Sequence, residues 1–525
     1  VWIGSASRCR NIDEVSTHQY GIPPMVLMER AGISVFEVVR ELLPDGGKLA
    51  ILCGRGNNGG DGLVVARLAV EMNYHVDVLM ATTEDELSAE NRTQLAVTRA
   101  QGITPIFYDD ARFQRRLDCL GGYDLIVDAL LGTGAHGEVR GGIQDAIRAI
   151  NRSGVPVVSV DVPSGIHTDT GEDLGESVWS LRTVTFGLAK PFLFQGIGLE
   201  HAGYWTVADI GYPSQLMHEP TEARLVSAPW VADVLPERLR SAHKRDNGHV
   251  LIVAGSDLMP GAAVLACQGA LRAGAGLVTL ASTPSVCQVV ASQIPEVIHL
   301  PLPDVNGAIS IGGAKLIREY PIRFDSAVFG PGIGQSKAVK EFLEALWIDW
   351  DIPSVIDADA LNWVSQGLAL PDTECVLTPH PGEMSRLMEI SIAEVQSDRF
   401  QTMKSAVNRF NHTIILKGPH TIIGTPEQPM AVNTTGNNGM ASAGMGDVLS
   451  GIIGTLLSQD LPTFLAATAG VYWHGLAADL CAEKIGPIGY LASDVVNALP
   501  AARAKLTTPC ESRPRARSLP FSCQA

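Results

Sequence analysis

Residues 49–69 read LAILCGRGNNGGDGLVVARLA. An unbroken apolar run ends in Gly54, Gly56, Gly59, Gly60 and Gly62, and a helical pattern follows with Val64, Val65 and Leu68 on its apolar side. Only a strand buried on both faces stays apolar at every position, so strand, glycine turn and helix in succession open a parallel sheet covered by helices. Glycine lets the backbone approach a ligand, and the new helix offers free N–H groups to an anion. Glycines alone are a weak dinucleotide signal. Asn57, Asn58 and Asp61 add two amides and a carboxylate able to bind ribose hydroxyls or a cation, although Asn is also a common choice for a left-handed turn.

The same grammar recurs along the chain. Short Val/Ile/Leu runs at 49–53, 76–80, 125–128, 155–161 and 183–186 alternate with helical patterns, and a second series follows at 250–254, 277–281, 327–329, 354–357, 376–378 and 413–417. Between the two series, PSQLMHEPTEARLVSAP at 213–229 has three prolines and no sustained period, and reads as a linker. The expected organisation is two α/β domains, 1–222 and 223–506, with a Pro/Ser/Arg-rich disordered tail at 507–525. A length of 525 residues suits two or more domains. No motif is shared in register, so the domains are not copies.

A net charge of −17 makes a general nucleic-acid or anionic-membrane binder a poor expectation, and 46% apolar residues suffice for more than one core. Nine scattered cysteines with no CxxC pair read as reduced thiols. No apolar run reaches membrane-spanning length. The opening VWIGSASRCR has no signal-peptide pattern and no initial Met, so a missing start is expected. The expected location is the cytoplasm.

In the first half three strand ends carry polar groups: Asn58 with Asp61, Asp128 in DALLGTG, and Asp161 with Ser164 in DVPSGI. Ligands of open parallel sheets sit at such ends. Converging carboxylates repel, so a raised pKa, a bound cation or both must offset them. Oxygen donors of this kind suit an alkali or alkaline-earth ion, and nothing here suits zinc. Each aspartate taken singly could equally be a helix cap.

In the second half, a helix of small residues at 262–273 permits close packing, GPGIG at 330–334 can offer several N–H groups to phosphate, and IDADAL puts Asp357 and Asp359 at a strand end. TPHPGE holds His380 between two prolines beside a carboxylate. In AGMGDVLSG, Gly444 and Gly446 precede Asp447 at the start of an apolar helix. A carboxylate inside such an anion hole can take a hydroxyl proton while the hole stabilises a phosphoryl group. No P-loop is present.

CGRGNNGGDGLVVAR, DALLGTG, DVPSGI and GLAKP together resemble the NAD(P)HX epimerase domain over nearly all of 10–220. AGMGDVLSG, TPHPGE and LKGPHT resemble the NAD(P)HX dehydratase branch of the ribokinase-like superfamily over about 230–505. The resemblance implies a Rossmann-like three-layer sandwich followed by a ribokinase-like α/β domain. It implies that Asn57, Asn58, Gly59, Gly60, Asp61, Gly132, Thr133, Gly134, Ala135, His136, Gly137, Glu138 and Asp161 contact the hydrated cofactor. Asn58, Asp128 and Ser164 would hold K+. In the second domain Ala262, Gly334, His380 and Asp447 would meet the hydrated cofactor, and Lys417, Gly418, Pro419, His420, Thr421 and Gly446 the adenine nucleotide. The segment GSDLMPGAA, 255–263, departs from the family's loop: it is one residue short and lacks the middle glycine.

The expected activity is therefore repair of hydrated nicotinamide cofactors. The first domain would interconvert R- and S-NAD(P)HX with Asp161 as acid/base and Asp61 second. The other would dehydrate the S form with ADP, or ATP, as phosphate donor, Asp447 as base and Mg2+ on the phosphates. A homo-oligomer is implied by resemblance. The competing expectation is a small-molecule kinase fused to a domain that only binds ligand or protein.

Overall fold

The computed structural model describes residues 1–507. The expected tail lies outside these residues, except for Thr507, which ends the closing helix. The chain forms two compact units. The first comprises Val1–Leu225, Met388–Phe410 and Gly418–Val432; the second comprises Val226–Leu387, Asn411–Lys417 and the chain from Asn433 onward.

The first unit is built on seven strands: β1 (Lys48–Cys53), β2 (His75–Met80), β3 (Ile106–Phe107), β4 (Leu125–Ala129), β5 (Val157–Val160), β6 (Arg182–Phe186) and β7 (Tyr204–Ala208). They lie in the order β3-β2-β1-β4-β5-β6-β7, all parallel. Leu49, Ile51 and Cys53 of β1 pack into one core with Leu27, Val35 and Val39 of helix α2 (Pro24–Leu42) and Leu63 and Val65 of α3 (Asn57–Glu71). Ala50 and Leu52 pack into the other core with Ile147 and Ile150 of α4 (Gly141–Ser153). Helices on both faces explain why β1 is apolar at every position. A further helix, α1 (Ala6–His18), is capped by Ser5, whose hydroxyl accepts the Arg8 N–H. The strand order reverses between β1 and β4, which opens a crevice at their carboxyl ends.

The segment expected to be a linker is structured. It holds a short helix, Ser214–His218, and the strand Ala223–Leu225. That strand pairs antiparallel with Trp2–Ile3 and parallel with Met430–Val432, which in turn pairs with Ile422–Gly424. Three residues are too few to show a period, and their partners are distant in sequence.

The second unit carries seven parallel strands: β8 (His249–Val253), β9 (Leu277–Ser282), β10 (Ile298–Pro301), β11 (Ser326–Phe329), β12 (Ser354–Ile356), β13 (Cys375–Leu377) and β14 (Thr413–Leu416). Their order is β14-β13-β12-β11-β8-β9-β10. The small-residue helix α5 (Pro260–Ala273) lies directly on α6 (Met445–Ser458). A Cβ at Gly269 would stand 2.5 Å from the Val448 carbonyl oxygen, and one at Gly451 would stand 2.2 Å from that of Ala266. The small residues are thus a packing requirement. Behind them lies the long helix α7 (Thr463–Ile485). Among the described residues no helix is long and apolar enough to cross a membrane, and the seven described cysteines are free thiols.

Gly54 tests the switch point. A Cβ there would stand 1.8 Å from the Leu130 carbonyl oxygen, so Gly54→Ala must displace backbone. We expect a loss of about 2 kcal/mol or more and a first thermal transition lowered by roughly 4–8 °C. Gly134→Ala, which meets nothing within 4 Å, should stay within about 0.5 kcal/mol.

Candidate active sites

The crevice of the first unit is a cleft of about 440 Å³. The start of α3 supplies Asn57, Asn58 and Asp61, the segments after β4 and β5 supply Gly132, Thr133 and Asp161, and α1 supplies Cys9, Asp13 and Thr17. Glu14, His18, Glu90, Lys190 and Tyr212 also line it.

Asp161 follows β5 with a left-handed φ of 65°, which turns its carboxyl into the cleft. Its Oδ1 accepts hydrogen bonds from Lys190 Nζ at 2.6 Å, Thr185 Oγ1 at 2.9 Å and the Phe186 N–H at 3.2 Å. Lys190 is only 1% exposed. Burial disfavours its ammonium, but Asp161, Cys9 and Asp13 together outweigh that and hold the pKa above its ordinary value. Asp61 stands in the first turns of α3; burial, with Asp161 and Asp13 nearby, pushes its carboxyl well above the usual carboxylate range. One wall therefore carries two chemically different carboxyls.

Asp128 is fully buried. It accepts the Ser164 hydroxyl at 2.5 Å, the Ser159 hydroxyl at 2.8 Å, the Ser164 N–H at 2.9 Å and the Leu130 N–H at 3.3 Å. Burial still raises its pKa against those bonds. The Ser164 hydroxyl also accepts the Leu131 N–H at 2.9 Å, and Asn58 Nδ2 donates to the Leu131 carbonyl at 2.8 Å. Asn58, Asp128 and Ser164 thus converge with the Leu131 backbone in a set of hard oxygen donors. A buried carboxylate with no ammonium or guanidinium partner among the described residues is chemically suited to an alkali cation.

Not every expected contact lines the cleft. Gly59 and Gly60 are buried in α3: a Cβ would stand 2.1 Å from the Gly54 carbonyl oxygen and 2.6 Å from Met28 Cε, respectively. Asn91 Nδ2 braces the glycine turn by donating to the carbonyls of Gly54 and Gly56. From the following loop only Gly132 and Thr133 reach the cleft. Gly134 accepts His136 Nδ1 at 2.9 Å, the Ala135 N–H bonds back to Gly132, Gly137 turns at φ 74°, and Glu138 pairs with Arg140.

The site of the second unit centres on Asp357, just beyond β12. It accepts Lys417 Nζ at 2.9 Å and Thr378 Oγ1 at 2.6 Å on Oδ1, and Ser450 Oγ at 2.7 Å on Oδ2. Burial opposes its charge, but Lys417 and these hydroxyls hold its pKa below the ordinary value. Lys417 Nζ is also 3.7 Å from Glu383 Oε2. Burial pushes Glu383 up to about 7, with Lys417 opposing. Asp447 stands in the first turn of α6, one turn before Ser450. Burial, then the Asp357 charge, pushes its carboxyl up to about 7. A Cβ on Gly446 would stand 3.4 Å from Lys417 Nζ, so the glycine turn brings backbone directly against that ammonium.

Lys417, expected at the nucleotide, is thus held between carboxylates. His380 acts as a helix cap: its Nδ1 accepts the Gly382 N–H at 3.0 Å, while Glu383 Oε2 accepts the His380 N–H at 2.8 Å. Ala262 abuts the GPGIG turn, since a Cβ on Gly332 would stand 2.9 Å from its Cβ, and the Gly334 N–H donates to Asp359 Oδ2 at 2.9 Å. The 255–262 loop is tied to the same turn by the Gly255 N–H on the Pro331 carbonyl. Gly418, Pro419, His420 and Thr421 belong to the first unit. There the Thr421 hydroxyl donates to the Gly418 carbonyl, Arg399 to that of Pro419, and the His420 ring meets Phe194 edge-on.

Sequence reasoning passed over Lys190, Asp13 and Tyr212 in the first site, and Glu383, Thr378 and Ser450 in the second. GLAKP held Lys190 in plain view. A strand-end aspartate needs a cation once buried, and that need is the signal that points to Lys190.

The sequence pattern of the family described as NAD(P)H-hydrate dehydratase matches residues 250–501, and that of the family described as YjeF-related protein N-terminus matches 24–192. A bifunctional NAD(P)H-hydrate repair enzyme of Moorella thermoacetica is 36% identical over 509 residues, covering 95% of this chain and 96% of the relative. Its counterpart in Coxiella burnetii is 38% identical over 476 residues, covering 90% and 94%. Among solved structures, a ribokinase-like superfamily protein of Enterococcus faecalis is 26% identical with a TM-score of 0.50, covering 56% of this chain and all of that one.

Lys190→Met should leave the Asp161 carboxylate without its cation and destabilise the first unit by about 3–5 kcal/mol at neutral pH. Lys190→Met combined with Asp161→Asn should restore most of that loss, as read by urea unfolding.

Proposed function

The chain belongs to the bifunctional NAD(P)H-hydrate repair enzymes, and on that premise we propose how its two sites divide the work. It is an enzyme that repairs hydrated nicotinamide cofactors, with a Rossmann-like first fold and a ribokinase-like second one. We assign interconversion of R- and S-NAD(P)HX to a domain spanning 1–222 and nucleotide-driven dehydration of the S form to one spanning 223–506. The observation that carries the assignment is the difference between the two carboxyl sites. Asp161 faces a cleft beside a buried ammonium, whereas Asp447 opens a helix behind a glycine turn with its pKa near 7.

In the first site Asp161 exchanges the proton of the C6 hydroxyl, with Lys190 holding the carboxylate in place. Asn57, Asn58, Asp61, Gly132 and Thr133 surround the ring. Asn58, Asp128, Ser164 and the Leu131 carbonyl are the residues that would hold K+, whose charge would offset the buried Asp128 carboxylate.

In the second site Asp447 takes the proton of the C6 hydroxyl, and the oxygen then attacks the terminal phosphoryl group of ADP or ATP. Backbone N–H groups at 444–446 and the start of α6 receive the developing charge. Mg2+ would accompany the nucleotide phosphates. Departure of phosphate from C6 and loss of a C5 proton restore the double bond of NAD(P)H. Lys417, fixed by Asp357 and Glu383, sets a positive charge beside the glycine turn. ADP is our choice of donor.

The free thiols suit a cytoplasmic enzyme. Trp179, Leu181 and Tyr204, large side chains left exposed on the first unit, suit a homo-oligomer.

The test is recovery of absorbance at 340 nm from mixed R/S hydrated NADH with ADP, ATP or neither. Recovery of the whole pool, dependent on one nucleotide, is the expected result; recovery that stalls at the S fraction would leave the first site without a reaction. Asp447→Asn should lower dehydration at least a hundredfold and spare epimerisation. Because the base must be ionised, dehydratase kcat/KM should fall about tenfold per pH unit below about 7.

A further inference from the structure

Inverting C6 by opening the ring requires proton transfer at two atoms: the hydroxyl must lose its proton, and N1, whose bond to C6 breaks, must gain one. Asp161 accounts for the first. The cleft offers the second from a separate element. Helix α1 presents Cys9, Asp13 and Thr17 to it at intervals of four residues, one face of the helix. Asp13 Oδ1 accepts the Tyr212 hydroxyl at 2.5 Å, and both side chains line the cleft with Asp61, Asp161 and Lys190. A ring in the cleft therefore meets carboxyls carried by a helix and by strand ends. Asp13 and Tyr212 lie outside the matched residues 24–192, so no motif of that match points to them.

We propose that Asp13 is the second catalytic residue of epimerisation, the proton donor to the ring nitrogen, with Tyr212 as its positioning residue. The proposal rests on the repair reading of the first site. Asp161 removes the hydroxyl proton as the C6–N1 bond breaks. The O–H electron pair becomes the second C–O bond of an aldehyde, the C6–N1 pair stays on nitrogen, and Asp13 gives N1 its proton. The open chain turns about C5–C6. N1 then adds to the other face of the aldehyde, returning its proton to Asp13, and Asp161 returns its proton to the oxygen. Atoms and charge balance with no further reactant.

The surroundings of Asp13 suit a donor. Enclosure in the cleft holds its carboxyl above the ordinary carboxylate value, against the hydrogen bond from Tyr212. Asp161 and its helix neighbour Glu14 act in the same sense as enclosure, while Lys190 opposes. Asp61 and the Cys9 thiol, which share the cleft, also sense the Asp13 charge.

The experiment follows R/S interconversion over a range of pH by the full chain. Asp13→Asn should lower kcat at least a hundredfold, with KM within threefold. It should also abolish the decline of kcat at high pH that a proton donor imposes. Tyr212→Phe should lower kcat about tenfold and move that decline without removing it. A first thermal transition at the temperature of the unaltered protein, measured on the same preparations, reports that the first unit of each variant is folded. Interconversion by Asp13→Asn within threefold of the unaltered protein, or a loss carried by KM alone, overturns the proposal. No interconversion by the unaltered protein overturns the repair reading of this site, and the proposal with it.

Discussion

A carboxylate at the buried end of a parallel strand calls for a counter-charge, and each unit supplies a lysine to one such aspartate. Asp161 is held by Lys190 at 2.6 Å and Asp357 by Lys417 at 2.9 Å, each lysine reaching in from beyond another strand of its sheet. The strand ends are where the sheet's topology opens a crevice, so the chemistry belongs there; they are also among the least hydrated places in the molecule. The lysines reconcile the two demands. Once they are in position, the remaining carboxyls, Asp61 beside the first pair and Asp447 and Glu383 beside the second, sit in enclosed surroundings that favour the proton-bearing form.

The core strands were legible because each is covered on both faces. A run such as LAILC has no polar position to break it, and all eleven runs read as strands are strands. The strands missed have other physics. Trp2–Ile3, Ala223–Leu225 and Met430–Val432 are two or three residues long, and each pairs with a strand more than two hundred residues away. Tyr204–Ala208 lies at the sheet edge, where its faces are half exposed and its pattern is mixed. The sites divide in the same way. Strand-end aspartates could be found from local pattern, but Lys190, Asp13 and Tyr212 join them only through the tertiary fold.

The glycines carried two meanings that sequence alone could not separate. Gly446 lets backbone come close to the Lys417 ammonium. Gly59 and Gly60 instead let α3 sit against its own preceding turn and against Met28. Both uses demand the absence of a Cβ, so both leave the same letter in the sequence.

The left-handed backbone of Asp161 bears on how this position can change over evolutionary time. At φ 65° only glycine, asparagine and aspartate sit without appreciable strain. A descendant that abandons the acid chemistry proposed for it therefore has two economical routes, through asparagine or through glycine. Either would leave behind a lysine buried for a partner that no longer exists, so loss of function at this position should be followed by compensating change at Lys190. On the role proposed for Asp161, the pair should change as a unit, its joint presence or joint decay following use of the cleft for catalysis.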